Sequence, residues 1–377
     1  MLWAYVTYVL MMTVYTGINV PYGAMLGVVS DSSREKTVFS SFRMFFAYVG
    51  SFIALASWEP LCAMFERSWG FSVQSSWQAA MVVIAAACFV LFVCCFRLTR
   101  ERIKTVSQVG IGKDFKALMR NRPWWILIGA ALSFNLFCTV RGATVAYFFA
   151  DIIGSDAHIM LFSVALLFYS GLFLSIGEVA NMAGVALTVP VAAALGKKTT
   201  FILVNIALIA LSIAFFFVPV SAAGYWWMLL LQVLISVLTG IMSPLVWSMY
   251  ADVSDYSELK NNTASAGLIF SSSSMAQKFG GAVGGAAVLW LLDACGYVTA
   301  EAGSADVSQT PGALSCLWML MTFIPAGVSL LAVAVVSFYP LTTSVVESVT
   351  AGLKERRMSR TVPAQADEMT DFANTNT

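Results

Sequence analysis

The stretch YTGINVPYGAM, residues Tyr15–Met25, interrupts an otherwise apolar run near the start of the chain. Its centre holds Gly17, Asn19, Pro21 and Gly23. A helix in lipid must satisfy its backbone polar groups internally, so polar and helix-breaking residues at mid-depth need a cause. Pro21 removes one backbone donor and bends a helix, which frees a carbonyl about one turn earlier to face a cavity. The stretch therefore predicts a membrane helix that borders a substrate pathway.

The polar side chains of this helix fall on shared faces. Thr16 and Asn19 are three residues apart, and Tyr15 and Tyr22 are seven apart, so each pair shares one stripe of the helix. Hydroxyl, amide and phenol groups are the partners that hydroxyl-rich ligands require. The simpler alternative is a proline kink beside an asparagine that is satisfied within the protein.

The composition of the chain is that of an integral membrane protein. Of 377 residues, 59% are hydrophobic and 11% are charged, whereas soluble domains carry about 25% charged residues. The net charge of +1 gives no indication of a nucleic-acid partner. The seven cysteines form no CxxC pair, so neither a disulfide framework nor a metal site is expected. No nucleophile–base pair or phosphate loop is present, which argues against an enzyme and against an organic cofactor.

Nine segments are long and apolar enough to be membrane spans, which need about 20 residues. The fifth belongs to an apolar run from His158 to Leu195 that is too long for one straight span, so we expect a bent helix or a short interfacial piece before it. The nine predicted spans are 2–29, 38–57, 77–98, 124–150, 166–195, 200–220, 225–251, 264–292 and 314–339.

The positions of Lys and Arg predict the orientation, because cytoplasmic loops are enriched in them. Seventeen of the twenty-one cations lie in loops after odd-numbered spans or in the C-terminal tail, and one, Arg67, lies on the opposite side. The C-terminus is therefore predicted to be cytoplasmic and the N-terminus to be outside, in a multi-pass protein of the cell (inner) membrane.

The longest loop divides the spans into three and six. Symmetric transporters use even sets of repeats, so a six-plus-six transporter without its first three spans fits this pattern, and an ordinary nine-span protein fits it equally. The predicted domains are an incomplete N-terminal bundle, a cytoplasmic linker, a six-helix bundle and a polar cytoplasmic tail that we expect to be disordered. Their ranges are 1–98, 99–123, 124–340 and 341–377.

Three cations lie within predicted spans, where a charge must face protein or water. Lys278 is about 21 Å from the start of its span, and we expect it to line a cavity, with a structural lysine held by a carboxylate as the alternative. Arg141 also lies deep in its span, and the sequence leaves both a functional and a structural role open for it. Arg43 lies close enough to the inner end to reach the headgroups. Only Glu178 is an acid clearly at mid-span, so the cations favour an acidic substrate or carboxylates from elsewhere.

Two long motifs resemble a known family. YTGINVPYGAMLGVVSDSSREKTVFSSFR, from Tyr15, and PLVWSMYADVSDYSELK, Pro244–Lys260, are similar to helices of the glycoside–pentoside–hexuronide:cation symporters of the major facilitator superfamily. FIPAG, Phe323–Gly327, is similar to the last helix of that family. The resemblance implies an all-α membrane protein with a major facilitator-type bundle, whose nine spans match helices four to twelve of a twelve-helix fold.

The resemblance also implies functional residues. Thr16 matches a hydroxyl of the cation site, Arg43 a sugar-site arginine, and Lys278 a lysine near both sites. The family's cation-binding acids lie on its first two helices, which this chain does not match, and the coupling ion in the family is Na⁺, Li⁺ or H⁺.

Two departures from the family pattern bear on specificity. Asn19 stands where studied sugar carriers of the family have an aspartate, and Gly23 stands where they have a stacking tryptophan, which leaves space and no aromatic platform. With Arg43 and Lys278 kept and that carboxylate absent, an acidic sugar such as a hexuronide is favoured over a neutral galactoside. Substrate-binding residues are therefore predicted to be Tyr15, Asn19, Arg43, Arg141 and Lys278.

Loop acids at the cytoplasmic helix ends lie near cations in the sequence. The resemblance implies that ion pairs here hold the inner side closed while two halves rock about a central site. The alternative is ordinary solvated loop charge. The predicted gating residues are Asp31, Arg34, Asp252, Asp255 and Glu258.

The sequence thus predicts a secondary active transporter, a sugar:cation symporter that works by alternating access on a glycoside or uronide, with a monovalent cation and the lipid bilayer as partners. Two alternatives stay open. One is a truncated gene product that transports nothing, and the other is a carrier of amphipathic, lipid-like substrates.

Overall fold

The computed structural model describes residues 2–30, 32–99, 115–116, 118–154, 157–161, 164–261, 266–298 and 309–356. Asp31, most of the predicted linker (100–114 and 117) and the end of the predicted tail (357–377) lie outside the described residues.

The described chain consists almost entirely of helices, with one short β-hairpin between the fourth and fifth. A π-helical turn, Phe149–Ile153, extends the fourth helix, and a last helix, α11, covers residues 343–356. The other elements are α1 Leu2–Val28, α2 Ser33–Trp69, α3 Val73–Leu98, α4 Arg122–Phe148, β1 His158–Leu161, β2 Val164–Leu167, α5 Ser170–Leu195, α6 Lys197–Phe216, α7 Ala222–Asn261, α8 Ala266–Ala294, α9 Pro311–Met321 and α10 Phe323–Ser337.

Within the described ranges, nine helical segments are long and apolar enough to cross a membrane, in agreement with the nine predicted spans. The ninth combines α9 and α10 into Pro311–Ser337. Local signals explain several boundaries. The side chain of Asn121 accepts a hydrogen bond from the Trp124 N–H before α4, and Thr310 caps α9 in the same way. Gly196 links α5 to α6 with φ +78°, a left-handed conformation that favours glycine.

The structure refines one expectation from the sequence and overturns another. The fifth span begins at Ser170, close to the approximate boundary of 166, and a short separate piece, the antiparallel hairpin of β1 and β2, precedes it. The tail is not disordered throughout, since residues 343–356 are helical and bury Val349 and Leu353. The average polarity of the tail concealed a local pattern, because the apolar residues at 345, 346, 349 and 353 recur at helical spacing.

The helices form two groups, which we call the N-terminal group (α1–α3) and the C-terminal group (α4–α10). In the C-terminal group α5 packs on α7, α4 packs on α8 and α10, and α6 packs on α10. A large apolar core includes Leu127, Phe201 and Tyr250, and a second, aromatic core includes Phe148 and Phe215. Across the two groups α2 packs against α5 and α7, and α1 packs against α8.

The crossing of α5 and α7 brings the two backbones into contact. A Cβ atom at Gly184 would lie 2.0 Å from the carbonyl oxygen of Val237, and one at Gly240 would lie 2.3 Å from the carbonyl oxygen of Asn181. Only glycine permits this approach, as small residues do at helix interfaces in membranes. Because α5 also packs against α2, this crossing helps to position α5 beside the N-terminal group.

Candidate functional site

Arg43 lies between the two helix groups, on α2. Its guanidinium carbon is 4.8 Å from the ring centroid of Tyr22 on α1 and 4.4 Å from that of Trp247 on α7. Its Nη1 atom is buried and has no hydrogen-bond partner among the described residues. Arg43 is thus held by two aromatic faces and not by a carboxylate.

Gly23 does not leave open space, contrary to the expectation from the sequence. A Cβ atom placed on Gly23 would lie 3.4 Å from Cζ3 of Trp247 and 3.8 Å from Nη1 of Arg43. An aromatic ring from the other helix group, that of Trp247, therefore lies directly against Gly23. The role of Trp247 was not predicted, because its position in the sequence of α7 contains no information about which residues of α1 it contacts.

Lys278 lies on α8 and faces α1. Its Nζ atom is 4.4 Å from the ring centroid of Tyr15 and 3.7 Å from the sulfur of Met12. The Lys278 side chain is exposed, and the two ion pairs found among the described residues involve other lysines. This geometry gives no support to a structural lysine held by a carboxylate.

The two remaining candidates on α1 lie near Tyr15. The Thr16 hydroxyl is exposed and donates to the Met12 carbonyl oxygen at 2.7 Å, which leaves its oxygen lone pairs available. Asn19 is half-buried. α1 continues as a helix through Pro21.

Arg141 is held apart from Arg43 and Lys278, inside the C-terminal group. Its Nη1 donates to the carbonyl oxygen of Met321 at 3.1 Å, and its Nη2 donates to Oε1 of Gln232 at 3.0 Å. Its guanidinium carbon lies 5.1 Å from the Phe215 ring centroid. These contacts support the structural interpretation of Arg141, although its Nε atom is buried without a hydrogen-bond partner in the described chain.

A polar cluster around Glu178 was only partly visible in the sequence. Oε2 of Glu178 is buried and lacks a hydrogen-bond partner among the described residues. The Tyr48 hydroxyl on α2 lies beside the side chain of Ser243 on α7, and Tyr48 and Cys138 both lie within electrostatic reach of Glu178. The isolated mid-span acid was noticeable from its position, but its neighbours come from three other helices.

Two ion pairs lie at one end of the bundle, which we call the basic end because it carries Arg34, Lys36, Lys197, Lys198 and Lys260. Lys36 on α2 pairs with Asp255 on α7 at 2.5 Å, and this pair connects the two helix groups. Lys197 pairs with Asp252 at 2.6 Å, and Ser33 of α2 donates to the other oxygen of Asp252 at 2.8 Å.

Of the cations that the sequence placed beside these acids, namely Arg34, Lys36 and Lys260, Lys36 is the one that forms an ion pair with a described acid. Asp252 pairs with Lys197 and Asp255 with Lys36. Lys260 contacts Tyr256, and Arg34 is exposed. The remaining predicted gating residue within the described ranges is Glu258, whose backbone carbonyl accepts a hydrogen bond of 3.4 Å from Arg356 of α11.

The contacts continue from the basic end along α2 and α7 as one seam. Thr37 hydrogen-bonds with Ser248 at 2.7 Å, and the Ser40 hydroxyl donates to the Pro244 carbonyl oxygen at 2.8 Å. Arg43 and Trp247 form the next contact inward. This inter-group seam, from Lys36–Asp255 to Arg43–Trp247, closes the basic end between the two helix groups.

A cavity of 560 Å³ opens at the basic end beside the Lys197–Asp252 pair. Arg34, Lys354 and Tyr339 contribute to its wall. Burial, together with the nearby charge of Asp252, raises the pKa of the Tyr339 phenol, so this hydroxyl stays neutral. The cavity is separate from the Arg43 and Lys278 contacts.

Comparison with solved structures shows which known fold the chain resembles. The chain is similar to the fucose:proton symporter FucP of Escherichia coli, with a TM-score of 0.58 and 14% identity over 86% of this chain and 73% of that one. At this identity the likeness shows the fold alone.

Sequence relatives are membrane symporters and sugar carriers. The inner membrane symporter YicJ of E. coli is 28% identical over 352 residues, which cover 93% of this chain and 72% of the relative. The isoprimeverose transporter of Lactiplantibacillus pentosus is 30% identical over 89% of this chain and 67% of the relative. The glucuronide carrier protein homolog of E. coli is 26% identical over 94% of this chain and 73% of the relative.

These findings agree with the resemblance to glycoside–pentoside–hexuronide:cation symporters, and they place the protein among transporters and not among enzymes. The family described as MFS/sugar transport protein matches residues 1–343, almost the whole of the described helical bundle. The chain therefore belongs to the MFS/sugar transport protein family.

Proposed function

We propose that the protein is a secondary active transporter that carries an acidic glycoside, a hexuronide, together with Na⁺, Li⁺ or H⁺ by alternating access. It resides in the inner membrane with its basic end and C-terminus in the cytoplasm, because the great majority of its Lys and Arg residues lie on that side. The N-terminal and C-terminal helix groups are the two halves that move relative to one another.

The observation that carries this proposal is that neither Arg43 nor Lys278, both within the spans, forms an ion pair with a carboxylate of the described residues. Each is held by aromatic rings, and a cation–π contact contributes about 0.5–2 kcal/mol. Withdrawing an ion from water costs several kcal/mol, so the two aromatic contacts alone leave the buried Nη1 of Arg43 under-compensated, while Lys278 keeps an exposed charge that a ligand can reach. A carboxylate on the substrate supplies the missing charge.

The relatives support transport of a glycoside, and the preference for an acidic one rests on the residues of this chain. One of them is named as a glucuronide carrier homolog and another as an isoprimeverose transporter, so the family handles both acidic and neutral glycosides. Asn19 offers a donor and an acceptor but no charge, so nothing at this position repels a uronate. Thr16, Tyr15 and Asn19 supply the hydroxyl, aromatic and amide groups on α1.

The inter-group seam bears on access from the basic end. Lys36–Asp255, Thr37–Ser248 and Arg43–Trp247 join the two helix groups near the basic end, and in this proposal these contacts must break before the substrate leaves on that side. Asp255 and Asp252 are the gating acids in this proposal.

The test is uptake into proteoliposomes that contain the purified full chain. We expect p-nitrophenyl β-D-glucuronide to compete with substrate better than p-nitrophenyl β-D-glucoside, and Arg43→Gln to remove this preference. Arg67→Gln, at the far end of the same helix and exposed, is the matched control. Imposed Na⁺, Li⁺ and pH gradients identify the coupling ion. A preference for the neutral glucoside, or an Arg43→Gln variant that weakens both sugars equally, would contradict the acidic-sugar proposal.

A further inference from the structure

Glu178 is half-buried in the bundle, and one of its two carboxylate oxygens lacks a partner among the described residues. Glu178 lies eight residues from the start of α5, about 12 Å along the helix. Its Oε2 is buried and accepts no hydrogen bond from the described residues. A buried carboxylate oxygen without a donor loses the hydration that it has in water and gains nothing in return.

The surroundings of Glu178 come from both helix groups. Tyr48 is contributed by α2, Ser243 by α7 and Cys138 by α4, and the charge of Glu178 reaches Tyr48 and Cys138. Cys138 also lies within electrostatic reach of Arg141, whose Nε is a second buried atom without a hydrogen-bond partner in the described chain. The cluster therefore offers one unused acceptor, the Oε2 atom of Glu178.

The position of the cluster relative to the seam is informative. Tyr48 lies five residues beyond Arg43 on α2, about 7.5 Å farther from the basic end. The Glu178 cluster is thus the first polar layer beyond the closed seam, at the interface of the two helix groups. A transporter that works by alternating access binds its ligand at this level.

A hydroxyl group matches the cluster chemically, because it donates one hydrogen bond and accepts others. It can donate to Oε2 of Glu178 and accept from an N–H or O–H donor. An alkyl or a second carboxylate group cannot, since the first brings no donor and the second repels Glu178.

We propose that Glu178 is a substrate-binding residue, whose carboxylate accepts a hydrogen bond from a ring hydroxyl of the transported glycoside. This inference rests on the proposed function and deepens it. Arg43 and Lys278 recognise the acidic group of the sugar. Glu178, which belongs to the C-terminal helix group, recognises a hydroxyl of the sugar ring.

Isothermal titration of the purified full chain with p-nitrophenyl β-D-glucuronide tests the inference. Because a hydrogen bond to a charged acceptor is involved, Glu178→Gln should raise the Kd roughly tenfold. Glu66→Gln, an exposed glutamate at the outer end of α2, should leave the Kd unchanged. Monodeoxy glucuronides complete a double-mutant cycle: the analogue without the paired hydroxyl should bind wild type weakly and lose no further affinity in Glu178→Gln.

The outcomes separate this inference from the proposed function. If Glu178→Gln binds every analogue as wild type does, Glu178 is not a binding residue and the proposed function still stands. If the wild type binds no glycoside, both are overturned. Should Glu178→Gln fail to fold, wild-type labelling with dicyclohexylcarbodiimide decides by peptide mass spectrometry: sugar must protect Glu178 and not Glu66, and equal labelling of Glu178 with and without sugar overturns the inference.

Discussion

The Nζ atom of Lys36 lies 2.5 Å from a carboxylate oxygen of Asp255, although 219 residues separate the two in the chain. The Lys36 side chain is 1% exposed, so this ion pair is shielded from water at the contact between α2 and α7. Removing one partner of a buried pair leaves an uncompensated charge, which costs about 3–5 kcal/mol. The cost disappears when the seam opens and water reaches Lys36.

We therefore expect Asp255→Asn to shift the protein toward the conformation that is open at the basic end. The measurement is maleimide labelling of a Ser248→Cys reporter in a background without the seven native cysteines. Ser248 is fully buried in the seam, so its labelling from the cytoplasmic side should rise at least several-fold. Glu347→Gln, exposed at the same end, is the control. Unchanged labelling of the reporter would argue against a gate.

Restoring an uncharged pair should close the seam again. Lys36→Met combined with Asp255→Leu removes both charges, and uncharged replacements of a buried ion pair are often neutral or stabilising. We expect labelling of the reporter in this double variant to return close to the level of the unmodified seam. A double variant that labels as strongly as Asp255→Asn would show that charge compensation is not what holds the seam.

The size of residue 23 should control the position of Trp247. Gly23→Ala places its Cβ at van der Waals distance from the Trp247 ring, so we expect little effect on the seam. Gly23→Leu adds three further carbons toward Trp247, and we expect them to displace the Trp247 ring from Arg43. Overpacking of this kind destabilises a packed site by about 1–3 kcal/mol. Trp247 fluorescence is read in a background without the other ten tryptophans. Equal spectra for both variants would contradict the contact.

The α5–α7 crossing should tolerate no side chain at Gly184. Gly184→Ala forces a Cβ against the Val237 carbonyl at 2.0 Å, and backbone cannot move aside as a flexible side chain can. We expect a clear fall in the thermal unfolding temperature in detergent. Gly285→Ala on α8, where the added Cβ meets open space, is the matched control and should unfold like wild type. A Gly184→Ala protein as stable as this control would mean that the two helices cross elsewhere.

The coupling cation should depend on the Thr16 hydroxyl if the role implied by the family resemblance applies. Thr16→Val keeps the shape and removes the oxygen, and we expect the apparent affinity for the coupling ion in sugar uptake to fall about tenfold, as for one lost oxygen ligand. Thr13→Val is matched, because the Thr13 hydroxyl also donates to a carbonyl four residues earlier on exposed α1. Similar effects of the two substitutions would assign Thr16 a local role only.

The amino-acid sequence by itself determined the membrane class, the nine spans and the family. These depend on hydropathy, charge distribution and motif order, which are properties of single segments. The helical pattern of residues 345–353 was also present in the sequence and was overlooked because the surrounding tail is polar.

Only the tertiary structure decided which charged and aromatic residues meet. The pairing of Asp255 with Lys36, the ring of Trp247 over Gly23, and the hydrogen bonds of Arg141 to Gln232 and Met321 all join different helices. Such contacts depend on where helices cross and how each is rotated about its axis. Close backbone packing, as at Gly184, fixes these quantities, and the periodicity of one helix contains no information about its neighbour.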